Sequence, residues 1–203
     1  MLKKLVSGIW FYRFAIWAFR TWAKLFLGLR ITGTDNVPRE GGLVVACNHF
    51  SSLDPPVVGV SVPREIHFMA KKELFANPAM AVLMHGLRTF PVDRGRNDTS
   101  SIRTAMRKLR SGLAVGIFIQ GTRNAGEAAA LNGAAFLAQR SGAGLLPTAV
   151  WREGRAFRVH FAEPLVLEPD LTAQELTAVL TSAINAHLPA DRRMGPVNVA
   201  SDS

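Results

Sequence analysis

At 203 residues, with 48% hydrophobic and 19% charged side chains, the chain carries enough apolar material for one buried core, which excludes a disordered segment. A formal charge of +9 and a pI near 10.8 demand an anionic partner: nucleic acid, a membrane surface or a phosphorylated substrate. The single cysteine, Cys47, excludes an internal disulfide and a cysteine-built metal site, and suits a reduced, intracellular setting.

Much of the charge is local. Residues 1–30 contain Lys3, Lys4, Arg13, Arg20, Lys24 and Arg30 and no acid, which is +6 of the +9. Trp10, Phe11, Tyr12, Phe14, Trp17, Phe19, Trp22 and Phe26 lie between them, and Arg13, Arg20 and Lys24 are spaced for one helical face. No uncharged run approaches the roughly 20 residues that span a bilayer. The segment is therefore expected to lie on a membrane as an amphipathic helix or helix pair, aromatics at the headgroup boundary and cations against anionic lipid. A signal peptide fits less well, because Arg13 and Arg20 interrupt the apolar region and no small-residue cleavage site follows. The alternative is a helix packed on its own domain.

Residues 31–38 read as an edge strand and turn. Gly41-Gly42 then precedes the apolar run 43–47, a buried strand that delivers Asn48 and His49 to its end. Asp54 stands before Pro55-Pro56 as the expected cap of a helix over 57–62. On one continuous helix His49 and Asp54 would be about 140° apart. A strand, turn and helix instead let the chain fold back, so that the carboxylate reaches one imidazole nitrogen and the other can take a proton from a hydroxyl. A histidine in a surface turn beside a capping aspartate would share this spacing. Ser51 and Ser52 are read as turn caps, since no Gly-x-Ser-x-Gly elbow occurs.

Further on, 66–70 reads as a strand ending at Lys71-Lys72-Glu73-Leu74, 77–85 as a short helix, and 88–92 as a strand followed by the turn Asp93-Arg94-Gly95-Arg96. Residues 99–110 form a basic amphipathic helix with Arg103, Arg107 and Arg110 on one face. The strand 113–119 runs into Gln120-Gly121-Thr122-Arg123, where Gly121 permits close backbone approach, Thr122 offers a hydroxyl and an amide, and Arg123 a cationic fork. An alanine-rich helix is expected over 127–140. The strand 145–151 is interrupted by Pro147, which suits an edge or a substrate-facing wall. A strand over 157–161 precedes a helix over 172–187, with Thr172 and Glu175 as a capping box. His67, His85, His160 and His187 are scattered singly, so no metal is expected.

Asn48-His49-x-x-x-x-Asp54 is followed in order by Phe90-Pro91-Val92-Asp93-Arg94-Gly95, by Phe118-Ile119-Gln120-Gly121-Thr122-Arg123 and by Leu145-Leu146-Pro147-Thr148-Ala149-Val150. Over about residues 34–166 the chain thereby resembles the glycerolipid acyltransferases, in particular the lysophosphatidic acid acyltransferases. The resemblance implies an α/β fold, a single domain with a mixed sheet covered by helices over 31–190, preceded by the membrane-binding segment 1–30 and trailed by a polar tail 191–203. It implies His49 as general base and Asp54 as its partner. Lys71, Arg94 and Arg123 would hold a substrate phosphate, with Asn48, Gln120, Gly121 and Thr122 also at the substrate. A guanidinium fork suits a phosphate dianion, whereas Lys71-Lys72 could equally be a solvated pair. The family pattern Phe-Pro-Glu-Gly-Thr-Arg departs here to Ile119 and Gln120, and a neutral amide cannot pair with arginine as a carboxylate does.

The expected reaction is acyl transfer from a thioester, of coenzyme A or acyl carrier protein, to a lysophospholipid hydroxyl at the cytoplasmic face of the membrane, with no cofactor. Another hydroxyl acceptor, or anionic-lipid binding without turnover, remains as the alternative. Nucleic acid is not an expected partner, because the basic excess sits among aromatics and no recognised module is present.

Overall fold

The computed structural model describes residues 8–93, 99–119, 132–168 and 170–195. Its helices are α1 (Ile9–Phe26), α2 (Asp54–Ser61), α3 (Pro78–Gly86), α4 (Thr99–Arg110), α5 (Gly133–Ser141) and α6 (Ala173–Asn185). Its strands are β1 (Arg30–Thr32), β2 (Leu43–Cys47), β3 (Ile66–Lys71), β4 (Thr89–Val92), β5 (Ala114–Phe118), β6 (Gly144–Glu153) and β7 (Ala156–Phe161). They form one sheet in the order β1-β7-β6-β2-β5-β3-β4. All pairings are parallel except the β6–β7 hairpin, so the sheet is mixed.

Central β2 is buried along its whole length, as its continuous apolar run requires of a strand covered on both faces. Alternation divides it. Leu43, Val45 and Cys47 join a cluster with Val57, Val58 and Val60 of α2 and Ala23 of α1. Val44 and Ala46 join the opposite cluster with Ala105 and Leu109 of α4, Ala134, Ala135 and Ala138 of α5, and Leu176, Leu180 and Ile184 of α6. The small residues of α5 let that helix lie close to the sheet. The capping box forms as expected at α6, where Thr172 accepts from the Glu175 amide at 3.2 Å and the Glu175 carboxylate accepts from the Thr172 amide at 2.8 Å.

One expectation needs correcting. The strand carrying Pro147 is neither an edge nor an open wall: β6 lies between β2 and β7, and Pro147 is buried opposite Ala46. Its carbonyl accepts from the Ala162 amide at 3.0 Å, one step past the last β6–β7 pair, Thr148 with Phe161. The missing N–H is thus on the β7 side at the last rung of that ladder, and the pairing with β2 opposite Ala46 is kept. For α1, packing on its own domain and exposure of aromatics are both realised. Tyr12 and Ala23 are buried, with Ile16 and Phe19 partly so, while Trp10 and Trp17 remain 79% and 64% exposed.

Tyr12 ties α1 to the amino end of β3, its hydroxyl accepting from the Ile66 amide at 3.2 Å while Arg88 lies over its ring at 5.5 Å. Glu65 bonds Arg88 Nε at 3.0 Å and lies 3.6 Å from His67 Nε2. Burial first, then the charges of Lys108 and Arg88, lower the His67 pKa from 6.5 to about 4. The folded protein thus keeps His67 neutral where the unfolded chain would protonate it. Between pH 6.5 and 4 the unfolded state binds more protons, so stability falls as pH falls through this window. Urea unfolding should show a loss of about 1–3 kcal/mol across it, after allowance for solvent screening. A His67→Gln variant should show a smaller slope over the same range.

Candidate active site

The parallel strands β2, β3, β4 and β5 all end on one side of the sheet, where an open α/β sheet binds its ligands. Asn48 and His49 follow β2, Lys71 closes β3, Asp93 follows β4, and Ile119 follows β5. The β2 end is held from one neighbour by its carbonyl: Cys47 accepts from the Ile119 amide at 2.8 Å. Burial raises the pKa of the Cys47 thiol well above its ordinary value, so it is no nucleophile.

The turn after β2 brings His49 and Asp54 together. His49 Nδ1 lies 3.1 Å from Asp54 Oδ2, and the same oxygen accepts from the amides of Phe50 and Ser51, each at 2.6 Å. Asp54 differs in detail from the expected cap. It is the first residue of α2 rather than the residue before it, and its carboxylate reaches back to the turn instead of forward to the helix. This fits its chemistry, because a helix amino terminus favours negative charge and the two turn amides favour the carboxylate. Ser51 shapes the turn as expected, its hydroxyl accepting from the Leu53 amide at 3.2 Å.

Asp54 is buried, and the His49 side chain is 31% exposed, so the imidazole can be approached while its partner is shielded. The His49 ring sits 4.5 Å from the Phe118 ring, which packs in turn on Phe68 at 5.9 Å. Phe118 lies within the motif quoted above, yet sequence reasoning attended to the polar residues after it and missed the aromatic wall before them. Its signal was an aromatic at the end of the strand adjacent to β2.

Asn48, expected at the substrate, turns its side chain to β6. It is fully buried, its amide donating to the Val150 carbonyl at 2.6 Å and accepting from the Val150 amide at 2.8 Å. Lys71 is exposed at the end of β3. Asp93, at the end of β4, forms an ion pair with Lys72. Arg94, Gln120, Gly121, Thr122 and Arg123 lie outside the described residues, as does the 127–131 part of the expected alanine-rich helix. No group of three or more potential metal ligands occurs among the described residues.

The acyltransferase family profile matches residues 28–151, from the end of α1 through the start of the β6–β7 hairpin. The chain belongs to this acyltransferase family. The 1-acyl-sn-glycerol-3-phosphate acyltransferase of Bacillus subtilis (strain 168) is 33% identical over 189 residues, covering 87% of this chain and 94% of that protein. The protein of the same name from Borreliella burgdorferi is 24% identical over 131 residues, 63% of this chain and 52% of its own length. The crystal structure of the 1-acyl-sn-glycerophosphate (LPA) acyltransferase PlsC from Thermotoga maritima shares the fold, with a TM-score of 0.68 at 23% identity over 83% of this chain and 75% of that one.

The aromatic wall of the acyltransferase depends on a glycine. A Cβ on Gly116 would meet Phe68 Cε1 at 2.1 Å and Cδ1 at 2.5 Å, both ring atoms that cannot swing aside independently. Gly116→Ala must displace the Phe68 ring, which packs on Phe118 beside His49. Overpacking of this kind costs about 1–3 kcal/mol. A thermal melt should report that loss, and acyl transfer below the melting range should be reduced as well.

Proposed function

We propose that this acyltransferase moves an acyl group from a thioester to the free hydroxyl of lysophosphatidic acid, forming phosphatidic acid for phospholipid synthesis. One observation carries the reading: the 3.1 Å contact of His49 Nδ1 with Asp54 Oδ2 at the end of the central strand. It occurs in a chain 33% identical to a protein named for this reaction.

Asp54 holds His49 as the Nδ1–H tautomer, which directs Nε2 to accept a proton from the substrate. The substrate hydroxyl gives its proton to Nε2 as its oxygen attacks the thioester carbonyl. The tetrahedral intermediate collapses with cleavage of the C–S bond, and the imidazolium returns the proton to the departing thiolate. The new ester and a free thiol remain, with no cofactor consumed. The co-substrate is a thioester of coenzyme A or of acyl carrier protein. Lys71, Arg94 and Arg123 hold the acceptor phosphate, with Gln120, Gly121 and Thr122 beside it, so that binding energy places the hydroxyl at the base.

The acceptor is a lipid, and α1 supplies a surface for reaching it. No helix among the described residues is long and apolar enough to cross a membrane. The outer face of α1 exposes Trp10, Phe14, Trp17, Leu25 and Phe26, more contiguous apolar side chain than a purely soluble surface carries. Arg13 and Lys24 stand among them. This face lies in the plane of the bilayer, peripheral and on the cytoplasmic side, with the cations against anionic headgroups. His49 supports the same orientation: its aromatic neighbour Phe118 packs into the cluster that contains α1 and α2, so site and helix share one side of the sheet.

Acyl transfer from a thioester to lysophosphatidic acid should fall by about 10²–10⁴-fold in His49→Ala, with the folded state confirmed by circular dichroism. Absence of turnover in the unaltered protein with every thioester donor would favour lipid binding without catalysis. For the membrane face, deleting residues 1–28 would also remove Tyr12 and Ala23 from the core. Substitution of the exposed residues is the cleaner test. Trp10→Ala, Phe14→Ala and Trp17→Ala combined should lower binding to anionic vesicles by roughly 100-fold or more, since each buried aromatic is worth about 1.5–3 kcal/mol. Undiminished sedimentation with vesicles would reject α1 as the anchor.

A further inference from the structure

We infer that Asn48 is a positioning residue for His49, acting through the end of β2. The inference rests on His49 being the base. Parallel pairing of β2 with β6 ends where Cys47 lies opposite Thr148. Beyond that point the β2 backbone must leave the sheet to form the turn that carries His49 to Asp54. Val150 stays behind on β6, fully buried, with the N–H and C=O that face β2 in need of partners. The Asn48 side chain supplies both, at 2.8 Å and 2.6 Å. A side-chain amide carries the same donor and acceptor as a peptide group, so Asn48 adds one more rung to the ladder after the backbone has turned away.

This rung fixes the residue next to His49. On the opposite side the Cys47 carbonyl is held by the Ile119 amide at 2.8 Å. The strand end is therefore clamped from β6 and β5 together, and the imidazole projects from a peptide with little freedom to shift. Side chains that lack either half of the amide lose half of the clamp, and a longer amide would displace the turn. Asparagine meets the requirement where aspartate, serine and glutamine do not.

A matched control exists in the same molecule. Asn185 makes the same pair of bonds to one residue, Met194, donating to its carbonyl at 2.9 Å and accepting from its amide at 2.8 Å. That clamp lies at the end of α6. The experiment compares Asn48→Ala with Asn185→Ala, measuring kcat, the KM for thioester and for lysophosphatidic acid, and the proton NMR signal of the His49 Nδ1–H bonded to Asp54. Asn48→Ala should lower kcat by about tenfold or more, since small misplacements of reacting groups carry large rate penalties. Both KM values should stay within about twofold, and the downfield imidazole proton should broaden or vanish. Asn185→Ala should retain kcat and that signal.

Unchanged kcat in Asn48→Ala overturns the inference. So does a raised KM for lysophosphatidic acid with kcat preserved, which would make Asn48 a substrate ligand, or an equal loss in Asn185→Ala, which would indicate general loosening. If Asn48→Ala fails to fold, Asn48→Ser, which is uncharged but too short to reproduce both bonds to Val150, takes its place. It should give an intermediate loss, and a kcat and imidazole proton equal to wild type would overturn the inference. Absence of turnover in the wild type would count against His49 as base, while the NMR comparison would still decide whether Asn48 positions it.

Discussion

A single carboxylate oxygen organises the candidate active site of this protein. Asp54 Oδ2 accepts from the amides of Phe50 and Ser51 and lies against His49 Nδ1, so one atom both closes the turn and orients the imidazole. Burial makes this arrangement demanding. A shielded carboxylate must be matched by donors, and here the donors are the turn that connects it to the base. The local fold and the chemistry cannot be altered separately.

The rest of the structure supplies what that turn needs on either side. Neighbouring strands hold the end of β2, through Ile119 from β5 and Val150 from β6. Phe118, backed by Phe68 and admitted by the missing side chain at Gly116, walls the imidazole. A sheet, a turn and an aromatic stack all converge on His49, each for ordinary packing reasons.

Much of this was legible in the sequence, and the failures have physical causes. The strand before His49, the helix after Asp54 and the His49–Asp54 contact follow from an apolar run, a Pro-Pro start and a five-residue spacing that a fold-back can close. The capping box of α6 was readable because both its bonds are local. Pro147 misled because the tolerance of a proline depends on where the neighbouring ladder stops, and the partner is Ala162, fifteen residues away. The partner of Asn48 was hidden for a related reason: its two bonds reach across 102 residues, which no local pattern records. Membership of a motif shows that a residue matters without showing which way its side chain faces.

The inner face of α1 has its own implication for how the chain is made. Its supports arrive late: the Leu27 carbonyl accepts from the Phe157 amide at 3.0 Å, β1 pairs with β7, and Tyr12 waits for Ile66. A chain synthesised from its amino terminus presents this aromatic segment well before those partners exist. On the proposed membrane-facing reading of α1, adsorption to a bilayer would precede folding, and the sheet would assemble onto a helix already lying at the lipid surface.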